Sequence, residues 1–183
     1  GRLDVLVGGW GPRVAWYRGE GMRDGKPGWS LVDSAMVTIT RGSNTTPTLG
    51  DLDGDGDLDL VIGEASGALN YYRNDGTPTA PRFVLVSDEW EGIDIGRRSA
   101  PHLTDFDGDG ELDLLIGSEL DGVLLYLNVG TRTAPTWVRS ADFALDVPAL
   151  AVPVTADVDG DGRLELLVGG VGGGVTWFRK ATP

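Results

Sequence analysis

The chain of 183 residues has 28 acidic and 15 basic side chains, so its formal net charge is −13. This charge argues against nucleic acid as a partner and against attachment to anionic lipid, because both require a positive surface. The chain has no cysteine for disulfides or thiolate chemistry and no apolar run of about 18 residues that could span a membrane. Its 29 glycines and 10 prolines, which follow no collagen-like period, predict many tight turns.

The chain repeats itself, most clearly around three acidic stretches. Three segments align without gaps: TPTLGDLDGDGDLDLVIGE, APHLTDFDGDGELDLLIGS and VPVTADVDGDGRLELLVGG. Their leading aspartates, which are 54 and 52 residues apart, are Asp51, Asp105 and Asp157. The start of the chain, GRLDVLVGG, matches GDLDLVIGE from Gly56 and therefore corresponds to the second half of such a segment. We expect a single domain over 1–183, with repeats at approximately 1–43, 44–98, 99–148 and 149–183.

Each repeat has the pattern of short β-strands, taken here from the second repeat. Residues 46–49 lead into the acidic stretch, and the apolar residues 58–62 follow it and end at Gly63. Residues 68–73, with paired aromatics, and residues 82–86 complete the set. Four strands in about 50 residues match one blade of a β-propeller. The sequence therefore predicts an all-β fold with about fourteen strands, grouped as three, four, four and three, in an open or partial propeller of about three and a half repeats.

Aromatic residues recur with the repeat and predict packing between neighbouring blades. The recurring positions are Trp16, Tyr71, Tyr126 and Trp177. Trp10 and Trp90 do not recur. Trp90 lies between two acidic residues in a predicted loop, where it is either a partly buried loop residue or a platform that stacks on a sugar ring or a partner.

Three further features have a structural and a functional interpretation. His102, the single histidine, is either an ordinary strand residue or a base or metal ligand. The glycines at 172–174 predict a hairpin turn rather than a phosphate site, because no helix follows them. The arginines at 97 and 98 either pair with Glu91 or Asp94 or bind an anion.

The three acidic stretches, residues 51–59, 105–113 and 157–165, are called here the first, second and third acidic loops. Each has the spacing D-x-D-x-D-G-x-x-(D/E), so alternate carboxylates on a tight turn can point at one centre. Calcium takes six to eight oxygen ligands at about 2.3–2.6 Å. We expect side-chain ligands at positions 1, 3, 5 and 9 and a backbone carbonyl at position 7. The predicted ligands are Asp51, Asp53, Asp55, Asp57 and Asp59, then Asp105, Asp107, Asp109, Glu111 and Asp113, and finally Asp157, Asp159, Asp161, Arg163 and Glu165.

The acidic loops fit a calcium site in a β-hairpin better than four alternatives. These are an EF-hand, a plain turn, a magnesium site and a catalytic pair. An EF-hand needs a bidentate glutamate at position 12 and flanking helices, whereas position 12 here is Ile62, Ile116 or Val168. Solvated Asp-Gly hairpin turns would account for one copy more easily than for three regularly spaced copies. Magnesium fits less well because it keeps several waters. The carboxylates could also mimic a glycosidase pair, but their repetition favours metal ligation.

With these residues in place, the sequence DLDGDGDLDLVIGE, followed by LNYYRNDGT and APRF, resembles the FG-GAP/VCBS-type calcium-binding repeat. Integrin α-subunit head domains and many bacterial surface or secreted proteins carry such repeats. The resemblance covers almost the whole chain. It implies propeller blades with Ca²⁺ in the hairpin between the first two strands, and hence three Ca²⁺ sites here, because the first repeat keeps only Asp4 of its loop. It also implies an extracellular, cell-surface or periplasmic location.

The resemblance implies a non-catalytic module for protein interaction, adhesion or scaffolding. Two alternatives remain open, a carbohydrate-binding propeller and an enzyme of the polysaccharide lyase type. Such propellers close with more blades than this chain supplies. We therefore expect a protein partner, or further repeats of the same chain, to cover the open ends, and a glycan is a further candidate partner.

Overall fold

The computed structural model describes residues 3–143, 145 and 147–179, which form β-strands joined by turns and one 3-10 turn at Trp90–Gly92. Strands β1 to β7 are Val5–Val7, Arg13–Arg23, Lys26–Thr38, Thr46–Gly50, Asp59–Gly63, Leu69–Asn74 and Phe83–Ser87. Strands β8 to β14 are Ala100–Thr104, Asp113–Gly117, Val123–Asn128, Trp137–Arg139, Val152–Ala156, Glu165–Gly169 and Val175–Phe178. Within these residues, no helix has the length and apolar character that crossing a membrane would need.

The fourteen described strands form four antiparallel sheets, each of which runs in chain order. Sheet one is β1–β2–β3, sheet two β4–β5–β6–β7, sheet three β8–β9–β10–β11 and sheet four β12–β13–β14. The all-β prediction and the grouping of three, four, four and three are confirmed. No described strand of sheet one pairs with one of sheet four, so the sheets form an open, partial propeller.

The core lies between the sheets, because successive side chains of a strand point to opposite faces. In β5, Leu60 and Ile62 pack towards sheet one, whereas Val61 packs towards sheet three. All five residues of β5 and of the equivalent β9 are buried. These strands therefore have continuous apolar runs instead of the alternating pattern of a sheet that faces water on one side.

Two glycines allow sheet two to meet sheet three and sheet three to meet sheet four. A Cβ at Gly63 would lie 2.2 Å from the carbonyl oxygen of Ser99, and one at Gly117 would lie 2.0 Å from that of Ala151. The linker that enters the next sheet therefore passes directly over these glycines. It is held there by backbone hydrogen bonds, from Ser99 N to Glu64 O (3.0 Å) and from Ala151 N to Ser118 O (3.1 Å).

The predicted equivalence of Tyr126 with Tyr71 is wrong by one residue. Tyr71 pairs with Val61 in β5, whereas Tyr126 pairs with Leu114 and so takes the place of Tyr72. The Tyr71 position is held by Leu125 in sheet three. Because adjacent strand residues face opposite sides, Tyr126 packs on the core between sheets two and three and not on the next one.

Trp90 belongs to the core, so the sugar-stacking role considered for this residue is wrong. Its side chain is only 6% exposed. Its ring lies 5.4 Å from that of Tyr71 and 5.4 Å, in a T-shaped arrangement, from that of Trp137. Trp90 thus fills the space between sheets two and three. The exposed tryptophan of the non-recurring pair is Trp10, which is 82% exposed.

The remaining sequence features have structural roles. Arg97 pairs with Glu119 at 3.5 Å and Arg98 lies over the Trp10 ring at 5.5 Å, so the predicted pairing with Glu91 or Asp94 is wrong. His102 is a residue of β8, and its Nε2 accepts a hydrogen bond from the backbone N–H of Thr155 in sheet four (3.0 Å). The glycines at 172–174 lie in the turn between β13 and β14, as predicted.

Candidate metal centres

The three acidic loops are hairpin connections at equivalent places in successive sheets. The first joins β4 to β5, the second β8 to β9 and the third β12 to β13. Strands and not helices flank each loop, which excludes the EF-hand. Gly56, at position 6 of the first loop, has a φ of 93°, and Gly110 and Gly162 have 95° and 85°. A left-handed residue at this position lets the chain turn sharply and follow the carboxylates around one centre.

The same side-chain to backbone hydrogen bonds organise all three loops. In the second loop, Asp105 accepts from the backbone N–H groups of Gly108 (2.7 Å) and Gly110 (3.0 Å). Asp107 accepts from the N–H of Asp109 (3.1 Å), and Asp109 from that of Glu111 (2.8 Å). The third loop repeats all four bonds, and the first loop repeats three. Asp105 and Asp157 accept with both carboxylate oxygens, and the other aspartates with one, so each of these side chains is positioned by the backbone turn that it holds.

In each loop, three carboxylates bring one oxygen atom each to within 4.8 Å of one another. The groups are Asp51, Asp53 and Asp55, then Asp105, Asp107 and Asp113, and finally Asp157, Asp159 and Glu165. Asp59 lies outside the first group, and Asp109 and Asp161 lie outside the other two. Each loop thus assembles three of the four predicted side chains. The donors are all hard oxygens, which fits Ca²⁺ and not the soft or borderline metals that prefer sulfur and nitrogen.

The carboxylate at position 9 has a second role that sequence reasoning missed. Asp113 is 1% exposed and accepts hydrogen bonds from the backbone N–H groups of Phe106 (2.9 Å), Asp107 (3.2 Å) and Asn128 (2.9 Å). It therefore ties the acidic loop to the end of β10. Asp59 does the same in sheet two and also accepts from the hydroxyl of Tyr71 (3.1 Å). The sequence signal was the apolar strand that begins at this position, which predicts burial.

Burial has the largest effect on the acidity of these two groups. It raises the pKa of the Asp59 and Asp113 carboxyl groups above the usual value, and the backbone N–H donors act in the opposite direction. A bound cation would favour the ionised carboxylate and so offset the cost of burying it.

The side chains at position 7 stand apart from the three acidic groups. Asp57 is 6% exposed, and neither its Oδ1 nor the Oε2 of Glu111 has a hydrogen-bond partner among the described residues. Arg163, at the same place in the third loop, is exposed. None of the three belongs to an acidic group. The backbone carbonyl at position 7 as a metal ligand stays a prediction.

Two arginines that the sequence analysis did not single out lie beside the carboxylates. Arg179 contacts Asp159, and its Nε lies 3.7 Å from Oε1 of Glu165 in the third loop. Arg132 Nη1 lies 3.9 Å from Oδ2 of Asp51 in the first loop. Both side chains are more than half exposed, so these contacts with the carboxylates are weak and the arginines can move away from them.

Comparison with known protein families identifies the family of the chain. The FG-GAP-like repeat matches residues 1–62, 51–116 and 105–168. Two of these segments begin at an acidic loop, and each ends in the buried strand β5, β9 or β13. No curated protein matches the chain. Because the matches run through most of the chain, it belongs to the FG-GAP-like repeat family.

Proposed function

We propose that the chain is a calcium-binding, non-catalytic module for protein interaction, adhesion or scaffolding outside the cytoplasm. The observation that carries the calcium proposal is repetition. Three loops on successive sheets place carboxylate oxygens within 4.8 Å of one another. Like charges at such short distances repel, and a divalent cation removes that repulsion. Three Ca²⁺ ions would change the formal net charge from −13 to −7.

Two observations support the interaction role: the family of the chain, and the exposed surfaces of sheets one and four at the two ends of the partial propeller. FG-GAP-like repeats and a propeller-like fold support a protein-interaction module. In sheet four, Val175 is 65% and Trp177 51% exposed, and in sheet one, Trp29 and Leu31 are 47% and 54% exposed. Where such side chains form a contiguous apolar patch, the surface is suited to contact with another polypeptide. Either a protein partner or further repeats of the same chain would cover the exposed apolar side chains of sheets one and four.

A non-cytoplasmic location agrees with the calcium proposal. Calcium sites of extracellular modules bind in the range of about 10⁻⁴ to 10⁻³ M, so they fill only where calcium is abundant. The lack of cysteine does not distinguish a cytoplasmic from a non-cytoplasmic location.

The non-catalytic proposal is supported by the single histidine. Nε2 of His102 is occupied by the N–H and the hydroxyl of Thr155, both at 3.0 Å, so it cannot also accept a proton from a substrate. This arrangement disfavours the polysaccharide lyase alternative.

Calcium titration by calorimetry tests the proposal. We expect three sites, and Asp53→Asn should remove one, because it keeps the acceptor for the Asp55 N–H (3.2 Å) but loses the charge. Asp121→Asn, in the turn between β9 and β10, is the matched control. Magnesium at the same concentration should bind more weakly. No saturable calcium binding by the folded chain would refute the metal proposal.

The carbohydrate-binding alternative now depends on Trp10. Its ring is 82% exposed and stacks with the guanidinium of Arg98, which makes it an accessible aromatic platform. Binding to a glycan array that is lost in Trp10→Ala and kept in Trp177→Ala would favour this alternative over the protein-interaction role.

A further inference from the structure

A cavity of about 630 Å³ lies between sheets one and two. Sheet one contributes Asp4, Trp16, Arg18 and Met36, and sheet two contributes Asp57, Asn74 and Phe83 to its walls. This volume is within the range of about 300–1,000 Å³ that small-molecule sites occupy. Apolar and aromatic groups dominate the walls, with a few charged groups among them.

Two wall residues are smaller than the tryptophans that fill the next interface. Met36 and Phe83 each lie 54 residues before Trp90 and Trp137, respectively. Trp90 and Trp137 pack against each other between sheets two and three, with ring centroids 5.4 Å apart. The first interface has a methionine and a phenylalanine instead of this tryptophan pair and is less completely filled.

One polar group in this wall needs a partner. Asp57 is 6% exposed, and its Oδ1 has no hydrogen-bond partner within the described part of the chain, although the Asn74 side chain donates to the carboxyl group. The other carboxylate is already satisfied, since Asp4 accepts from Trp16 Nε1 (2.9 Å) and from the N–H of Gly19 (2.9 Å). A buried carboxylate oxygen without a donor is costly, and a ligand that supplies an N–H removes that cost.

The charges of the wall indicate which ligand fits. Asp4 and Asp57 are acidic, whereas the guanidinium of Arg18 lies over the Trp16 ring at 5.0 Å. No ion pair joins Arg18 to Asp57 in residues 3–143, 145 and 147–179. The cavity therefore offers a buried negative acceptor beside aromatic and aliphatic surface.

We propose that this cavity, which we call the inter-sheet cavity, binds a small organic cation with a primary ammonium group on an aromatic or apolar body. The ammonium donates to the carboxylate of Asp57, and the body packs against Trp16, Met36 and Phe83. The Asp57 side chain is not part of the acidic group of the first loop, but the charges of Asp51, Asp53 and Asp55 act on it, so the amine site and the proposed calcium centre are neighbours.

The test uses 2-phenylethylamine as the probe and 2-phenylethanol, which has the same ring without the charge, as its control. Binding is measured by calorimetry on the full chain in millimolar calcium and again in excess chelator. We expect saturable binding of the amine and at least tenfold weaker binding of the alcohol, because a charge-assisted hydrogen bond is worth roughly ten- to a hundredfold in affinity.

Two variants test the cavity, one by removing the charge of Asp57 and one by filling the space with a larger side chain. Asp57→Asn should weaken amine binding at least tenfold, because the charge that attracts the ammonium is lost. Met36→Trp, which introduces at this position the side chain that the next interface carries, should abolish it. Calcium titration of both variants is run alongside, so loss of the amine site and loss of the metal site are seen separately.

The proposal is wrong if the amine shows no saturable binding below about 10 mM, since weaker association than this is hardly distinguishable from non-specific contact. Equal affinity for amine and alcohol, or unchanged amine affinity in Met36→Trp, would also overturn it. The comparison of amine with alcohol on the unmodified chain decides the matter even if a variant fails to fold.

Discussion

Replacing Asp113 by asparagine should destabilise the protein even without any metal. Asp113 is 1% exposed and accepts two N–H groups through Oδ2, from Phe106 (2.9 Å) and Asp107 (3.2 Å), and one through Oδ1, from Asn128 (2.9 Å). An asparagine has one oxygen, so its amide NH₂ group faces either the first two donors or the third. Each donor left without an acceptor costs about 1–3 kcal/mol.

Part of this loss is offset, because burial raises the pKa of Asp113 and the uncharged amide avoids the cost of a buried charge. We therefore expect Asp113→Asn to lower the free energy of unfolding by about 2–4 kcal/mol, and the melting temperature by roughly 4–16 °C for a chain of this size. The measurement is urea and thermal unfolding followed by circular dichroism in excess chelator.

The matched control is Asp109→Asn in the same loop. Asp109 is exposed, and asparagine keeps the oxygen that accepts the N–H of Glu111 (2.8 Å), so this variant should change the stability by less than about 0.5 kcal/mol. Equal stabilities of the two variants would show that Asp113 does not tie the loop to β10, and that its place in the acidic group is its only role.

Three further predictions concern stability. If each loop binds calcium at roughly 0.1 mM, about 1 mM calcium adds about 1.4 kcal/mol per site, so chelator should lower the melting temperature; an unchanged melting curve would contradict a structural role for the ion. Trp90→Ala should cost about 3–5 kcal/mol, because Trp90 is 6% exposed, whereas Trp10→Ala should cost almost nothing; similar losses in chemical unfolding would contradict the packing described here. Burial lowers the pKa of His102 below its usual 6.5, and its neutral Nε2 accepts the N–H of Thr155. Its contribution is therefore complete above about pH 6.5 and decreases as the pH falls towards the lowered value, so the stability difference between the wild type and His102→Gln should shrink between roughly pH 7.5 and 5 in urea unfolding; a constant difference would argue against a neutral histidine in the fold.

The sequence was most informative where structure depends on neighbouring residues. The predicted strands at 46–49, 58–62, 68–73 and 82–86 differ by only one residue at either end from those observed. Each is a short apolar or aromatic run bounded by glycine, asparagine or aspartate, and these turn residues act over two to four positions. The hairpin position of the acidic loops follows from the same local signals.

Features that depend on neighbouring sheets were predicted less well. The sequence placed Tyr126 beside Tyr71, but the pairing of Tyr126 with Leu114 shifts it by one residue and turns it to the opposite face. Trp90 looked like a loop residue because acidic residues flank it, yet Tyr71 and Trp137 from two different sheets enclose it. Neither outcome is visible in a single repeat.

The all-β class, the repeats and the three acidic loops can be derived from the amino-acid sequence, because strand pattern, turn chemistry and ligand spacing are all local. Which side chains lie between sheets is visible only in the folded chain. The structure shows that Asp113 accepts a hydrogen bond from the end of β10 as well as belonging to an acidic group. It also shows that Met36 and Asp57 line a cavity between sheets one and two, whereas Trp90 fills the space between sheets two and three. The physical reason is that burial and packing depend on surfaces about 50 residues apart in the chain, which no local pattern specifies.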